Sequence, residues 1–412
     1  MKDKFVNFIE GMLKFLSVGQ DQRALILAEQ SVVDNLAQLS HEFEDVNELP
    51  IFRYCFETVI RAKDENALEP HKVKLEQMGD SIVIGRGAQL LKLHIHTNQP
   101  EAVTQLLAQI GDILYQKIDD MLMQYNIANL PRKTRVAIVA DTMADLPLEL
   151  IQAHNIYRIP LQVKINGNSF LDKFSISLPQ TFTYLSNPEN RIGTAAPSAA
   201  LVARSFQFLQ QHYESILVIP VGKALSSTYD VIVNQSRKYK DKLISVVDSQ
   251  MNSAPLGLLV EAGISHEEIV VKLESARKET NVLIMLNSLD GLIRSGRLSK
   301  SMGFIARLLR LKPLLHMDAQ TNKPKVIGAA FTRKGGWKKL TELLKKQQEH
   351  NKVKSIAVVH TDSYEHGEIF AKYVTRQTGL KPCYITHASS VSAIHTDKNS
   401  FAIGYINQTI TL

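Results

Sequence analysis

Cysteine is nearly absent from this chain. Its two copies, Cys55 and Cys383 among 412 residues, exclude a disulfide framework and suit a reducing compartment, so a cytoplasmic protein is expected. No apolar run approaches the ~20 residues of a membrane-spanning helix. The first residues, MKDKFVNFIEGMLKFLSVG, are expected to form an amphipathic helix and not a secretory leader, because their apolar side chains recur at helical spacing and Glu10 interrupts them. Three sets of motifs are missing as well. No G-x-G-x-x-G or phosphate-cradling P-loop follows a strand, which leaves nucleotides without a backbone cradle. No G-x-S-x-G elbow is present, which argues against a serine hydrolase of that type. Zinc-finger, RNP-type and basic-zipper patterns are absent, so nucleic acid is not expected as a partner.

What remains is ordinary globular composition: 44% hydrophobic and 22% charged residues, enough for a sizeable core over two or three domains. The net charge of +7 is unevenly spread. Residues 1–130 carry 12 Lys+Arg against 19 Asp+Glu, a net −7, whereas residues 131–412 carry 36 against 22, a net +14. That asymmetry predicts modules with different partners, or modules that dock on one another.

Residues 4–17 and 20–43 read as helices. Beyond Pro50 the period changes. IFRYCFETVI (51–60), SIVIGR (81–86), QLLKLHIHT (89–97) and DILYQKI (112–118) read as strands, with helices at 66–78 and from Pro100 to Ile110. The order β-α-β-β-α-β is that of a ferredoxin-like split βαβ unit, in which the first and third strands are central neighbours. Leu91, Leu93, Ile95 and Thr97 then share one face, and Lys92, His94 and His96 share the other. Phe52, Tyr54 and Phe56 would face the helices and place Cys55 opposite, beside Arg53 and Glu57. Cys55, His94 and His96 therefore converge on the helix-free face. A thiolate and two imidazoles suit zinc, with water or a carboxylate as the fourth ligand. A pair of exposed strand histidines beside a half-buried cysteine fits the same pattern.

After a linker at NLPRK (129–133), the apolar runs RVAIVAD (135–141), SILVIPV (215–221), LISVVD (243–248), NVLIML (281–286) and SIAVVHT (355–361) read as buried strands alternating with helices, an α/β pattern with a largely parallel sheet. In such a sheet ligands sit at the carboxyl ends of the strands, where Asp141-Thr142, Ser226-Ser227-Thr228 and Asp248-Ser249 fall. The stretch Leu289–Pro313 adds a tight corner at Gly296, the five-donor fork of Arg297, and a helix with one apolar and one basic face. A fork beside an apolar helix suits an anionic head with an apolar tail. The basic face also suits transient, peripheral contact with an anionic membrane surface.

Two resemblances sharpen these readings. FRYCFETVI, GDSIVIGRGAQLLKLHIHTNQP and GDILYQKIDDM, in that order, resemble the middle domain of the fatty acid kinase family. The resemblance implies that Cys55, His94 and His96 form a metal site, with zinc as a structural ion. The ATP-binding domain that accompanies this module in the family is not found in residues 1–49. The second resemblance covers residues 133–412. VADTMADLP (139–147), TAAPS (194–198), ALSSTYD (224–230), VVDSQMNSAPLGLLVEAG (246–263), LDGLIRSGRLS (289–299), TRKGGWKKL (332–340) and AIHT (393–396) run in the order of the DegV family.

That likeness implies two α/β domains enclosing one long-chain fatty acid in an apolar tunnel, its carboxylate held at the tunnel's end. The carboxylate ligands implied here are Thr194, Ser226, Arg297 and His395. The expected domains are 1–128, a helical lead-in with the kinase-type module, then 133–280 and 281–412. The expected function is a carrier without catalytic residues of its own. It presents the bound carboxylate to a separate ATP-binding kinase subunit for conversion to acyl-phosphate. A lipid-free scaffold of the same kinase system is the alternative, followed by a hydrolase or acyltransferase. One departure bears on the choice. The family follows its late His-Thr with Gly-Pro-Gly, where this chain has Asp397-Lys398-Asn399-Ser400; an inward-pointing Asp397 would repel a carboxylate.

Overall fold

The computed structural model describes residues 48–407 apart from 63, 65, 88–89, 131–133, 241–242, 254–265, 296–310, 318–323 and 352. The expected helices at 4–17 and 20–43, Arg297, and the basic amphipathic helix expected after it lie outside the described residues. The chain divides into two compact units. The first comprises residues 1–131 with Lys164–Ile176; the second comprises Arg132–Val163 with residues 177–412.

In the first unit β1 (Tyr54–Ala62) leads through a short 3-10 turn to α1 (Lys72–Met78), β2 (Gly79–Gly87), β3 (Leu90–Thr97), α2 (Pro100–Ile110), β4 (Gly111–Asp120) and α3 (Met121–Asn129). The strands form one antiparallel sheet in the order β2-β3-β1-β4. That is the ferredoxin-like arrangement read from the sequence, with β1 and β3 at its centre. Alternation on β3 explains the sidedness: Leu91, Leu93 and Ile95 are fully buried while Lys92, His94 and His96 are half-buried. Gln116 on β4 donates to Thr104 Oγ1 of α2 at 3.0 Å, which places α2 on the Gln116 face and leaves Lys117 on the other. Pro100 opens α2 where its missing N–H costs nothing. Asp120 caps α3, a helix that the sequence pattern did not reveal, through the Met123 N–H.

In the second stretch of chain β5 (Val136–Asp141) is followed by α4 (Leu148–Ala153), β6 (Tyr157–Ile159), β7 (Gln162–Ile165), β8 (Asn168–Leu171), α5 (Leu178–Ser186), β9 (Ile192–Ala195), α6 (Ala199–His212), β10 (Ser215–Ile219), α7 (Thr228–Ser236), β11 (Leu243–Val246) and α8 (His266–Glu279). The segment Lys164–Ile176, with β8, clusters with the first unit. Within that unit the Asn168 side chain accepts the Ile113 N–H at 2.6 Å, and Ser175 donates to Gln116 at 2.5 Å. In the second unit β11, β10, β5 and β6 form an entirely parallel sheet. Helix starts follow local chemistry: Ser177 and Gln180 form a reciprocal capping box on α5, and Ser198 caps α6.

The remaining elements are β12 (Thr280–Met285), α9 (Asp290–Arg294), β13 (Lys312–Met317), β14 (Pro324–Ala330), α10 (Arg333–Asn351), β15 (Ser355–His360), α11 (Tyr364–Thr378), β16 (Tyr384–His387), α12 (Ser390–Thr396) and β17 (Phe401–Ile406). They build a six-stranded sheet, β14-β13-β12-β17-β15-β16, in which only β15 and β16 pair in parallel. The runs NVLIML and SIAVVHT are thus buried strands of a mixed sheet. Burial on both faces makes a strand uniformly apolar whatever its direction, so the sequence cannot distinguish parallel from antiparallel pairing there. One face of this sheet packs on α10 and α11 through Trp337, Leu340, Phe370 and Phe401. Its other face presents Ile284, Leu286, Leu315 and Met317.

Candidate functional site

That second face walls a cavity of about 290 Å³, near the lower end of the roughly 300–1,000 Å³ of small-molecule sites. The opposite wall comes from the carboxyl-end loops of the parallel sheet, including Met143, Val221, Leu225 and Ser226. This is where an α/β sheet presents its ligand sites. No Asp, Glu, Lys or Arg is among the described residues that line it.

Strand register shows how polarity is distributed across this space. Leu283 of β12 pairs with His316 of β13, and Met285 pairs with both Leu314 and Phe401. His360 of β15 also pairs with Phe401. The strands β12 and β15 therefore finish where β17 begins, and β13 finishes at the other end. His360, Thr361, His395, Thr396 and Ser400 all lie at the first end. Ser400 Oγ links them: it accepts the Asn287 N–H at 3.1 Å and donates to the Thr396 carbonyl at 2.6 Å. Met317 and Pro324 stand at the far end, against Ile284 and Leu315. The mixed-sheet wall of the cavity is thus polar at one end and apolar beyond it, and Thr194, Ser226, Ser227, Asn252, Ser253 and Ser392 add polar groups from other elements.

Three of the four carboxylate ligands expected from the sequence line this one space: Thr194, Ser226 and His395. Thr194 lies on β9, and the cap of the next helix is Ser198, so Thr194 has no capping duty. Ser226 Oγ accepts the Thr228 N–H at 3.2 Å and contacts Thr228 Oγ1 at 2.8 Å, fastening the first turn of α7. The positive end of that helix dipole lies beside the cavity wall. His395 sits in the last turn of α12, 9% exposed. Arg297, the fourth expected ligand, lies outside the described residues.

The loop after His395 keeps a glycine-like backbone without glycine. Asp397 and Asn399 occupy the positions of the two family glycines and have φ of +57° and +64°. With ψ of 176° Asp397 stands in a region that is essentially glycine's alone, so its backbone is strained and held by the contacts around it. Asp397 is turned away from the cavity. Its Oδ2 accepts Ser288 Oγ and the Gly291 N–H, each at 3.0 Å, and its Oδ1 pairs with Arg294 at 2.9 Å. Its charge is therefore engaged at the start of α9, not by a bound ligand.

Two of the expected polar clusters hold backbone. Asp141 Oδ1 accepts the Met143 N–H at 2.8 Å and Oδ2 the Val221 N–H at 2.7 Å. Asp248 accepts the N–H groups of Lys223 and Gln250 at 3.0 and 3.2 Å. Both carboxylates fix the shape of the carboxyl-end loops. Sequence reasoning also missed His360, which closes an apolar strand and carries no motif. It is 1% exposed, and burial followed by the neighbouring His387 pushes it down to about 4, so it is neutral at pH 7.

In the first unit Cys55, His94 and His96 come together, their ligand atoms all within 4.8 Å of one another. Cys55 pairs directly with His96 across β1 and β3, and Glu57 with His94. Cys55 Sγ lies 3.9 Å from His94 Nδ1. Tetrahedral zinc ligands at 2.0–2.3 Å stand about 3.3–3.8 Å apart, so this donor set fits zinc after small side-chain adjustments. Beside it Glu57 is buried. Burial alone would raise its carboxyl, but Lys117 and Lys92 outweigh that and hold it well below the usual carboxylate range.

Comparison with known proteins places these sites in context. Residues 51–127 match the family model of the FakA-like middle domain of fatty acid kinase. A DegV domain-containing protein of Staphylococcus aureus is 27% identical over 277 residues, covering 66% of this chain and 98% of the relative. The DegV protein of Bacillus subtilis is 26% identical over 251 residues, 58% of this chain and 89% of that one. Among solved structures, a stearic acid-binding protein from Eubacterium ventriosum superposes with a TM-score of 0.61 at 23% identity, covering 68% of this chain and all of that one. The fatty acid kinase (Fak) B3 protein of Streptococcus pneumoniae, loaded with linoleic acid, gives 0.58 at 20% identity, covering 66% of this chain and 99% of its own. Residues 135–408 match the model of the DegV family of uncharacterised proteins, and the chain belongs to that family.

Proposed function

We propose that the DegV part of this chain binds one long-chain fatty acid and presents its carboxylate to a separate kinase subunit for phosphorylation to acyl-phosphate. The observation that carries this reading is the lining of the cavity: apolar walls, no charged side chain among the described lining residues, and His360, Thr361, His395, Thr396 and Ser400 at one end of the mixed sheet. That is the complement of a molecule with one polar head and one saturated or unsaturated tail. Solved relatives of the same fold hold stearic or linoleic acid.

In this reading Thr194 and Ser226 donate hydroxyl hydrogen bonds to the carboxylate, beside the N-terminal end of α7. His395 donates from its imidazole, and Arg297 supplies the cation that the described lining lacks. Each charge-assisted bond in a partly dry site contributes about 1.5–3 kcal/mol. No residue here needs to break or form a covalent bond; the transferred phosphoryl group and its ATP site belong to the kinase. The middle-domain module, related to the kinase itself, serves as a docking platform. Its Cys55, His94 and His96 would hold a structural zinc ion, which cross-links β1 to β3. The basic stretch after Arg297, expected from the sequence as an amphipathic helix, would rest on an anionic membrane surface during acyl exchange, with the protein otherwise in the cytoplasm.

The decisive experiment is mass spectrometry of the purified chain, first native and then after denaturation and lipid extraction, beside Arg297→Ala and His395→Ala. One fatty acid per wild-type chain and depleted occupancy in the variants are expected. A lipid-free protein that also refuses added fatty acid would overturn the carrier reading in favour of a scaffold. The phosphoryl step is read separately, by adding ATP with a fatty acid kinase and trapping acyl-phosphate as the hydroxamate.

A further inference from the structure

Two rows of side chains cross the first unit's sheet on the face opposite α2. Directly paired residues project to the same side, so the register assigns each row. One runs Asp119, Cys55, His96, Asp80 through β4, β1, β3 and β2; the next runs Lys117, Glu57, His94, Val83. Three carboxylates thus flank Cys55, His94 and His96, and their other contacts separate them. Glu57 accepts Lys117 Nζ at 2.8 Å and pairs with Lys92 at 3.3 Å. Asp119 pairs with the same Lys117 ammonium at 3.1 Å. Lys117 is 2% exposed, and taking either carboxylate from it would leave a buried ammonium undercompensated.

Asp80 differs. No lysine or arginine among the described residues pairs with it; its Oδ1 lies 3.7 Å from His96 Nδ1. That separation falls within the roughly 3.3–3.8 Å expected of two ligands on one tetrahedral ion, although Asp80 stands outside the set whose ligand atoms all lie within 4.8 Å of one another, so its half-exposed side chain must turn inward to bind. The backbone also favours the placement. The β2 register shifts between Asp80 and Val83, with Ser81 at φ +52°. A bulge of this kind re-aims the side chain beside it.

We propose that Asp80 is the fourth ligand, closing a tetrahedral Cys-His-His-Asp zinc site that ties β2 to β1 and β3. The inference rests on the zinc reading of Cys55, His94 and His96. A thiolate and a carboxylate together balance the dication, so the site is neutral beside the ammonium groups of Lys92 and Lys117. Water as the fourth ligand would leave one positive charge there. With no open position the site is structural, since catalytic zinc keeps a place for water or substrate.

The test is titration of metal-free full-length protein with Co²⁺, followed by competition with Zn²⁺ against a chromophoric chelator. Wild type should show one thiolate-to-cobalt charge-transfer band, which Cys55→Ser abolishes. Asp80→Ala should weaken zinc binding by about 10–100-fold or more. Asp80→Cys should bind cobalt with a charge-transfer band about twice as strong, because a second thiolate enters the coordination sphere. A weakened Asp80→Ala together with an unchanged band in Asp80→Cys would make Asp80 an outer hydrogen-bonding partner of His96 and overturn the ligand assignment. Wild-type affinity in Asp80→Ala would overturn it too. Failure of the wild type itself to bind cobalt with a thiolate band would remove the zinc reading on which the assignment rests.

Discussion

The Asp145 carboxylate accepts the backbone N–H of Ser389 at 2.8 Å, across 244 residues of chain. Its other oxygen accepts Ser253 Oγ at 2.6 Å, and Asp145 is fully buried. The contact joins the loop after β5 to the residue that caps α12, the helix carrying His395. Asp145 therefore helps to set the distance between the two walls of the cavity. Asp145→Ala removes at least two charge-assisted bonds and leaves buried donors unmet. A loss of about 3 kcal/mol or more is expected, read as a lower urea midpoint with an unchanged slope.

Gly367 of α11 gives His360 its space, because a β-carbon there would collide with the imidazole. Gly367→Ala should cost about 1–3 kcal/mol by overpacking. The double variant Gly367→Ala, His360→Ala should show non-additivity in a mutant cycle, since removing the ring removes the collision.

Stability should also depend on pH through His360. Its folded value near 4 lies below the ordinary 6.5 of an unfolded histidine, so the unfolded chain binds the proton first. Stability is full above about pH 6.5 and declines as pH falls towards 4. His387, also lowered chiefly by burial, adds in the same direction. In denaturation series between pH 7 and 4.5, His360→Asn should reduce this dependence while keeping a donor for the Asp362 carbonyl, the present partner of Nδ1 at 3.2 Å.

Asp397→Gly tests whether the altered late loop is strained or compensated. Glycine would relieve a backbone at φ +57° but delete the bonds to Ser288, Gly291 and Arg294. The bond to Arg294 alone is in the class worth about 1.5–3 kcal/mol, and the bonds to Ser288 and Gly291 add to it, against a conformational cost of roughly 1–3 kcal/mol. Net destabilisation is expected by thermal or chemical denaturation. Fatty-acid occupancy should persist, because Asp397 does not line the cavity.

Ala402 lines the cavity from β17. Ala402→Leu should shorten the space available to an acyl chain. Lipid extraction from this variant should show shorter fatty acids than from wild type, or lower occupancy. Identical acyl profiles and occupancy would place the tail elsewhere.

The βαββαβ order and the shared face of Cys55, His94 and His96 were legible because strand alternation is a local property: a period of two residues fixes sidedness without tertiary information. The same holds for the buried runs of the second unit, whose apolar character announces strands. Local pattern stops there. Strand direction in the mixed sheet was not legible, because a strand buried on both faces reads the same either way. The roles of Asp141, Asp145 and Asp248 were hidden too: a carboxylate beside a strand end looks like a ligand until its distant N–H partners are known. His360 had no motif to distinguish it, and its neutral state comes from burial and from His387 on the neighbouring strand.

The sequence by itself determined the family and most of the secondary-structure order, and it named the candidates for carboxylate and metal binding, because these follow from local pattern and ordered motifs. Only the tertiary structure decided which charges are paired. Asp397 turns to Arg294 and not to the cavity, and Lys117 occupies Glu57 and Asp119 while leaving Asp80 beside His96. Pairing of that kind depends on through-space distances of 3–4 Å between strands and loops far apart in the chain, and the energy of a charge is set by those neighbours and by burial.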